Sequence, residues 1–289
     1  MTFNGIKQMA SETKLPLHEA ALVAELSETG NNPEETRAQL GEFLRVILEE
    51  SEKQYGKVQE TLTGLTGTNA KKVYDRGVLY HSPFTHVAIV ASLSICESNA
   101  SMGRVVACPT AGASGAIPGV FYALAKENEI PFDHLLPGYI LASAIGNVIA
   151  TKATLAGAAG GCQAEIGSAA AMAAGALAYL SGGDAEMVDS AAALVLKSLL
   201  GLVCDPVGGF VEVPCVKRNA IAVTAAISAA ELALSGVSSV IPFDETVDAM
   251  RRIGRTLPME LRETGLGGLA TTPTAKKAVD RILTRFQKS

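Results

Sequence analysis

Ala156–Leu180 reads AGAAGGCQAEIGSAAAMAAGALAYL, and the reading of this stretch decides the fold. Its start is dense in glycine and reads as a loop. Its second half, Ser168–Leu180, is mostly alanine and reads as a helix. Thirteen residues are too few to span a bilayer, and alanine gains little from lipid. Small side chains instead suit helices whose backbones pack closely inside a core.

The same character extends outward. From about Val73 onward charge thins out, and Gly/Ala-rich helical segments alternate with Gly- and Pro-containing loops at 102–119, 156–167, 201–219 and 263–274. Upstream the pattern is amphipathic. Ser11 to about Leu26 places Leu15, Ala20, Leu22, Val23 and Leu26 among acids. Asn32-Pro33-Glu34-Glu35 then reads as an N-cap with proline in the first turn. The helix that follows is expected to reach about Glu60, with Leu40, Phe43, Leu44, Ile47 and Leu48 on one face. Thr61–Ala70 is a Gly/Thr-rich break. The expectation is an all-α, compact single-domain helical bundle. An N-terminal helical pair (1–63) packs on the catalytic portion (64–289), and Gly/Pro-rich loops carry the functional residues.

Composition agrees. Of 289 residues 48% are hydrophobic, only 5% are aromatic and none is Trp, so the apolar mass is aliphatic. A net charge of −5 without any Lys/Arg-rich block argues against nucleic acid as a partner. The long apolar stretches are interrupted by charge, Lys197 within 188–204 and Glu231 within 220–241, which argues against a membrane span. The N-terminus MTFNGIKQMASETK has no apolar run, so the cytoplasm is the expected compartment. No β-branched strand leads into G-x-G-x-x-G and no P-loop is present, which excludes a Rossmann reading.

Five cysteines without an export signal do not suggest a disulfide framework. Cys162 follows the glycine-dense loop. Cys204 and Cys215 bracket CDPVGGFVEVPC, whose Pro206, Pro214 and Gly208-Gly209 exclude a regular helix. One such cysteine would read as a buried thiol. Three, each beside glycine or proline at a loop–helix junction, favour metal ligation, since Gly-rich turns supply N–H donors to thiolates and sulfides. Zinc is the rival metal, although CxxC pairs and a nearby histidine are missing. Cys96, in VAIVASLSIC, reads as core. Cys108 precedes a proline beside a candidate substrate loop.

GGCQAEIGSA, GLVCDPVGGFVEVPCVKRNA, ACPTAGASGAIPG and LRETGLGGLATTPT, in this order from about Gly64 to Thr274, resemble the α chain of iron–sulfur-dependent L-serine dehydratases. The resemblance implies a [4Fe–4S] cluster on Cys162, Cys204 and Cys215 with the fourth iron open, and conversion of L-serine to pyruvate and ammonia. It also implies a separate β chain, because single-chain relatives carry an extra N-terminal domain. Those relatives are expected to place a cysteine at the tail, whereas this sequence ends in RFQKS. Serine breakdown would feed gluconeogenesis.

Within that frame, Pro109–Gly115 offers successive N–H groups (Gly112 and Gly115 among them) and the hydroxyls of Thr110 and Ser114 to a carboxylate. The bland alternative is a small-residue turn before a helix. Arg218 and Asn219, after the third cysteine, are candidates for holding substrate or offsetting cluster charge. Asp205, Glu212 and Glu165 read as loop-ordering residues. No general base is named, because His18, His81, His86 and His134 lie outside the cysteine loops. Two rivals stay open: a PLP enzyme using Lys152, and a non-catalytic cluster- or zinc-binding scaffold or redox sensor.

Overall fold

The computed structural model describes residues 1–287; Lys288 and Ser289, the end of the RFQKS tail, lie outside the described residues. Among the described residues the chain forms thirteen α-helices and no strand, as expected. The N-terminal part holds α1 (Phe3–Thr13), α2 (Leu17–Thr29) and α3 (Pro33–Gln54). Then come α4 (Asn69–Arg76), α5 (Pro83–Ala100), α6 (Ala116–Glu127), α7 (Phe132–Lys152) and the four-residue α8 (Gly157–Gly160). The remainder are α9 (Ser168–Leu180), α10 (Ala185–Ser198), α11 (Cys215–Leu234), α12 (Phe243–Thr256) and α13 (Pro273–Phe286).

The Ala-rich α9 lies at the centre, packed against α6, α7, α10 and α11, with every residue from Ser168 to Ala178 buried. Such contact requires small residues. A methyl group on Gly175 would sit 2.3 Å from the Ile145 Cδ1, so α7 and α9 meet almost backbone to side chain. The 21-residue α7 is long and apolar enough to cross a membrane, yet most of it is buried inside this bundle. One hydrophobic cluster runs from Phe3 to Met250. The N-terminal helices therefore share the core of the rest.

Four N-terminal expectations need correction. The single helix expected from Ser11 to Leu26 is broken, and three helices rather than a pair precede residue 63. Lys14 adopts φ 60° and Pro16 has no N–H to continue a helix, so α2 starts afresh at Leu17. The Asn32 cap is present, its Oδ1 accepting from Glu34 N and Glu35 N at 2.9 and 3.2 Å. α3, however, stops at Gln54 rather than Glu60, just before Gly56 turns to φ 65°. Phe43, placed by periodicity on the inner face, is 39% exposed.

The Thr61–Ala70 break is ordered by two buried carboxylates from distant elements. Glu97 of α5, wholly buried, accepts from Gly67 N, Asn69 N, Asn69 Nδ2 and Ala70 N at 2.7–3.1 Å. Glu212 accepts from Thr63 N, Thr66 N and Thr66 Oγ1. Removing an acceptor of several buried donors leaves them unsatisfied. Glu97→Ala is expected to destabilise the fold by about 3 kcal/mol, read as a lowered urea midpoint; an unchanged midpoint would show that water replaces the carboxylate.

Candidate active site

Local geometry explains each cysteine's position. Gly161 has φ 76°, and a Cβ there would meet Leu202 O at 2.9 Å and Leu257 Cδ1 at 2.6 Å, so only glycine admits this approach. Cys162 follows and opens a π-helical turn, Gln163–Gly167, that runs into α9. Single π-turns of this kind re-aim side chains and recur at functional sites. The wholly buried Gln163 locks the turn through Gly160 O, Met250 O and Gly201 N. Cys204 is held through its backbone to the tail motif, its N donating to Leu261 O at 2.9 Å and its O accepting from Glu263 N at 2.7 Å. Cys215 is the first residue of α11, after a turn in which Gly208 and Gly209 take positive φ.

These segments bring the three thiols together. The Cys162 and Cys204 thiols influence each other, and Cys215 lies within electrostatic reach of Cys162. Glu165, on the π-turn, points into the same space. Its Oε2 lies 3.9 Å from Cys204 Sγ, and its Oε1 accepts from Thr110 Oγ1 at 2.9 Å. Gly157 forms the wall, where a Cβ would fall 2.7 Å from Glu165 Oε2 and 3.0 Å from Cys204 Sγ. The Thr110 loop is thereby tied to the cysteine loops through one carboxylate.

The electrostatics separate the groups. Interaction with the Cys204 thiol holds the Cys162 thiol below its usual range, with help from Arg218 nearby. The same contact, with burial, pushes Cys204 up. Burial pushes Cys215 up to about 12 and raises Glu165 above the ordinary carboxylate range. Among the described residues no three His, Cys, Asp or Glu side chains converge tightly enough to hold a single metal ion.

The other candidates fall around this centre in distinct ways. Arg218 pairs with Asp205 Oδ1 at 2.9 Å and donates to Val203 O at 2.9 Å, which places its charge beside Cys162. Asn219 is wholly buried; its Oδ1 accepts from Gly115 N, while its Nδ2 donates to Gly112 O and Cys215 O. It clamps the 110–115 loop onto α11. The buried Ser114 hydroxyl donates to Thr110 O at 2.7 Å. Ser114, Gly115 N and Asn219 are thus engaged within the loop scaffold, and Thr110 with Glu165. Gly112 approaches Val211 so closely that a Cβ would lie 2.9 Å from its Cγ1. Asp205 orders its loop as expected, its Oδ2 accepting from Leu269 N at 2.7 Å.

Cys96 is buried with Ala70, Leu93, Val216 and Ala220, where it feels Cys215 and packs so close to the substrate loop that a Cβ on Gly115 would lie 2.7 Å from its Sγ. The remaining residues lie apart, and Cys108 bonds Val106 O. Lys152 is engaged with Asp244 and Asp248 of α12 at 3.6 and 3.3 Å. His18 is bonded to Tyr179. Sequence reasoning missed the link from Thr110 through Glu165 to Cys204; the only signal was a carboxylate three residues after a cysteine.

The family model for the serine dehydratase alpha chain matches residues 12–270. The chain belongs to the serine dehydratase alpha-chain family. The match starts well before Gly64, so it takes in most of the N-terminal helices as well as the quoted motifs. The chain is 41% identical over 286 residues to the probable L-serine dehydratase alpha chain of Bacillus subtilis, covering 97% of this chain and 95% of that one. It is 39% identical to the L-serine dehydratase alpha chain of Peptoniphilus asaccharolyticus, covering 96% of each. With L-serine dehydratase 1 of Escherichia coli it shares 43% identity over 182 residues, which are 62% of this chain but 40% of that protein.

Proposed function

We propose that this chain is the catalytic α chain of a two-chain L-serine dehydratase, a carbon–nitrogen lyase of the cytoplasm that converts L-serine to pyruvate and ammonia. The observation that carries this reading is the meeting of Cys162, Cys204 and Cys215 around Glu165 and the Thr110 loop. The chemistry of the donor set suits a [4Fe–4S] cluster: three cysteines, with Arg218 beside Cys162 to offset thiolate charge, would each bind one iron. The engagement of Lys152 with Asp244 and Asp248 disfavours a PLP aldehyde.

When bound, the cluster would supply an open Lewis-acidic iron for the serine β-hydroxyl. The chain's own residues do the rest. The 110–115 loop is held rigid by Asn219, which takes the Gly115 N–H and donates to Gly112 O, and its Ala111 and Gly112 N–H groups are the ones left for the substrate carboxylate. Glu165 is the proton acceptor: its Oε2 faces Cys204, while Thr110 fixes the other oxygen. Removal of the α-proton and loss of the β-hydroxyl as water leave an enamine, which tautomerises to an imine and hydrolyses to pyruvate and ammonia. Arg218 offsets the negative charge of the thiolates. A β chain completes the substrate pocket.

The test is anaerobic. Iron and sulfide are quantified, and L-serine is added to the reduced protein while its EPR spectrum is recorded. About four irons per chain, a serine-shifted signal and pyruvate release with the β chain are expected. A cluster indifferent to serine in the complete complex would favour the sensor or scaffold reading.

A further inference from the structure

α4, the 77–82 loop and α5 enclose a surface cavity of about 320 Å³. Its lining carries the cationic Lys72 and Arg76 and the imidazoles of His81 and His86, and none of its lining residues is acidic. Asp75, the acid on this helix, is taken by Lys71. Among the described residues no ion pair or side-chain hydrogen bond satisfies the four cavity bases. They form a basic island on a chain of net charge −5.

The rim is apolar. Tyr80 is 97% exposed, and Leu79 and Val78 beside it are 56% and 47% exposed. A small anion bound at the bases would leave these side chains in water. A protein surface would cover them, and Tyr and Arg are the residue types that dominate such contacts.

The cavity is also mechanically connected to the cysteines. Val73 and Ile89, on its wall, pack against Cys96, Val216 and Ala220, and Val216 follows Cys215 at the start of α11. α4 itself begins where Glu97 holds the Asn69 and Ala70 N–H groups. A partner seated here bears on the helix that positions Cys215.

We infer that this cavity is the docking site for the β chain, which enters it with an acidic segment carrying an apolar anchor. The inference rests on the two-chain reading above. Charge complementarity selects the occupant: an acidic segment is attracted here and repelled by the predominantly acidic remainder of the chain.

Binding of the purified β chain to the iron-loaded full chain is measured by calorimetry at low and high salt. Wild type is compared with Tyr80→Ala and with the double variant Lys72→Glu/Arg76→Glu. The altered side chains are solvent-exposed, so iron content and helical circular dichroism should match wild type. Each variant is expected to weaken binding at least about tenfold, and added salt should weaken wild type more than the double variant. Affinities within about twofold of wild type for both variants would overturn the docking site. So would self-association of the wild-type chain that the variants abolish, since the occupant would then be a second copy. A wild-type complex that forms but releases no pyruvate would count against the proposed activity, while the affinities still decide the docking site.

Discussion

Cys204→Ala is expected to abolish activity, lowering kcat/KM by at least about 10³-fold, which corresponds to losing the several kcal/mol a Lewis-acidic metal supplies. Cys162→Ala and Cys215→Ala should do the same. The reason is geometric. Each cysteine comes from a different segment: the π-turn before α9, the strand-like contact with the tail motif, and the first turn of α11. Cys108 bonds Val106 O, and Cys96, although near Cys215, is packed among Ala70, Leu93, Val216 and Ala220. Iron should fall from about four per chain to a small fraction of that, measured colorimetrically after anaerobic reconstitution. Cys96→Ala is the control and should retain iron. Full iron content in any of the three ligand variants would remove that residue from the ligand set.

The second large effect is expected at Glu165. Glu165→Gln preserves an oxygen that can accept from Thr110 but removes the negative charge beside Cys204. If Oε2 takes the α-proton, kcat should fall by about 10²–10⁴-fold, the range for a lost general base, with iron content retained and KM changed only a few-fold. Thr110→Val leaves the charge and removes the hydrogen bond, so its loss should be smaller and shared between kcat and KM. A Glu165→Gln enzyme within threefold of wild-type kcat would leave Glu165 as an anchor for the 110–115 loop and place the base elsewhere.

Both predictions concern contacts that differ in how far they are visible before folding. Cys162, Cys204 and Cys215 stand out in the chain because glycine and proline flank them, and such residues mark bends that a regular helix cannot absorb. Glu165 lacks any such mark. Its partner Thr110 is 55 residues away and Cys204 is 39 residues away. Asn219 and Gly115 meet across 104 residues, and nothing in a basic-polar triplet after a cysteine announces that the asparagine is a buried clamp rather than a ligand contact. The break at Lys14–Pro16 was visible in principle, but the apolar periodicity of Leu15, Ala20 and Leu22 concealed it.

What the amino-acid sequence by itself determined is the all-α class, the Ala-rich central helix and the three cysteine loops. These follow from local properties: helix propensity, side-chain size and the backbone limits of glycine and proline act within a few residues. The tertiary structure alone decided which carboxylate faces the thiols, which polar groups are consumed as scaffold, and that Glu97 and Glu212 order the 61–70 segment from afar. The physical reason is that a hydrogen bond's partner is chosen by packing. Once the small-residue faces of α7 and α9 lock together, distant loops are carried to fixed positions, and the chemistry of the site depends on those positions.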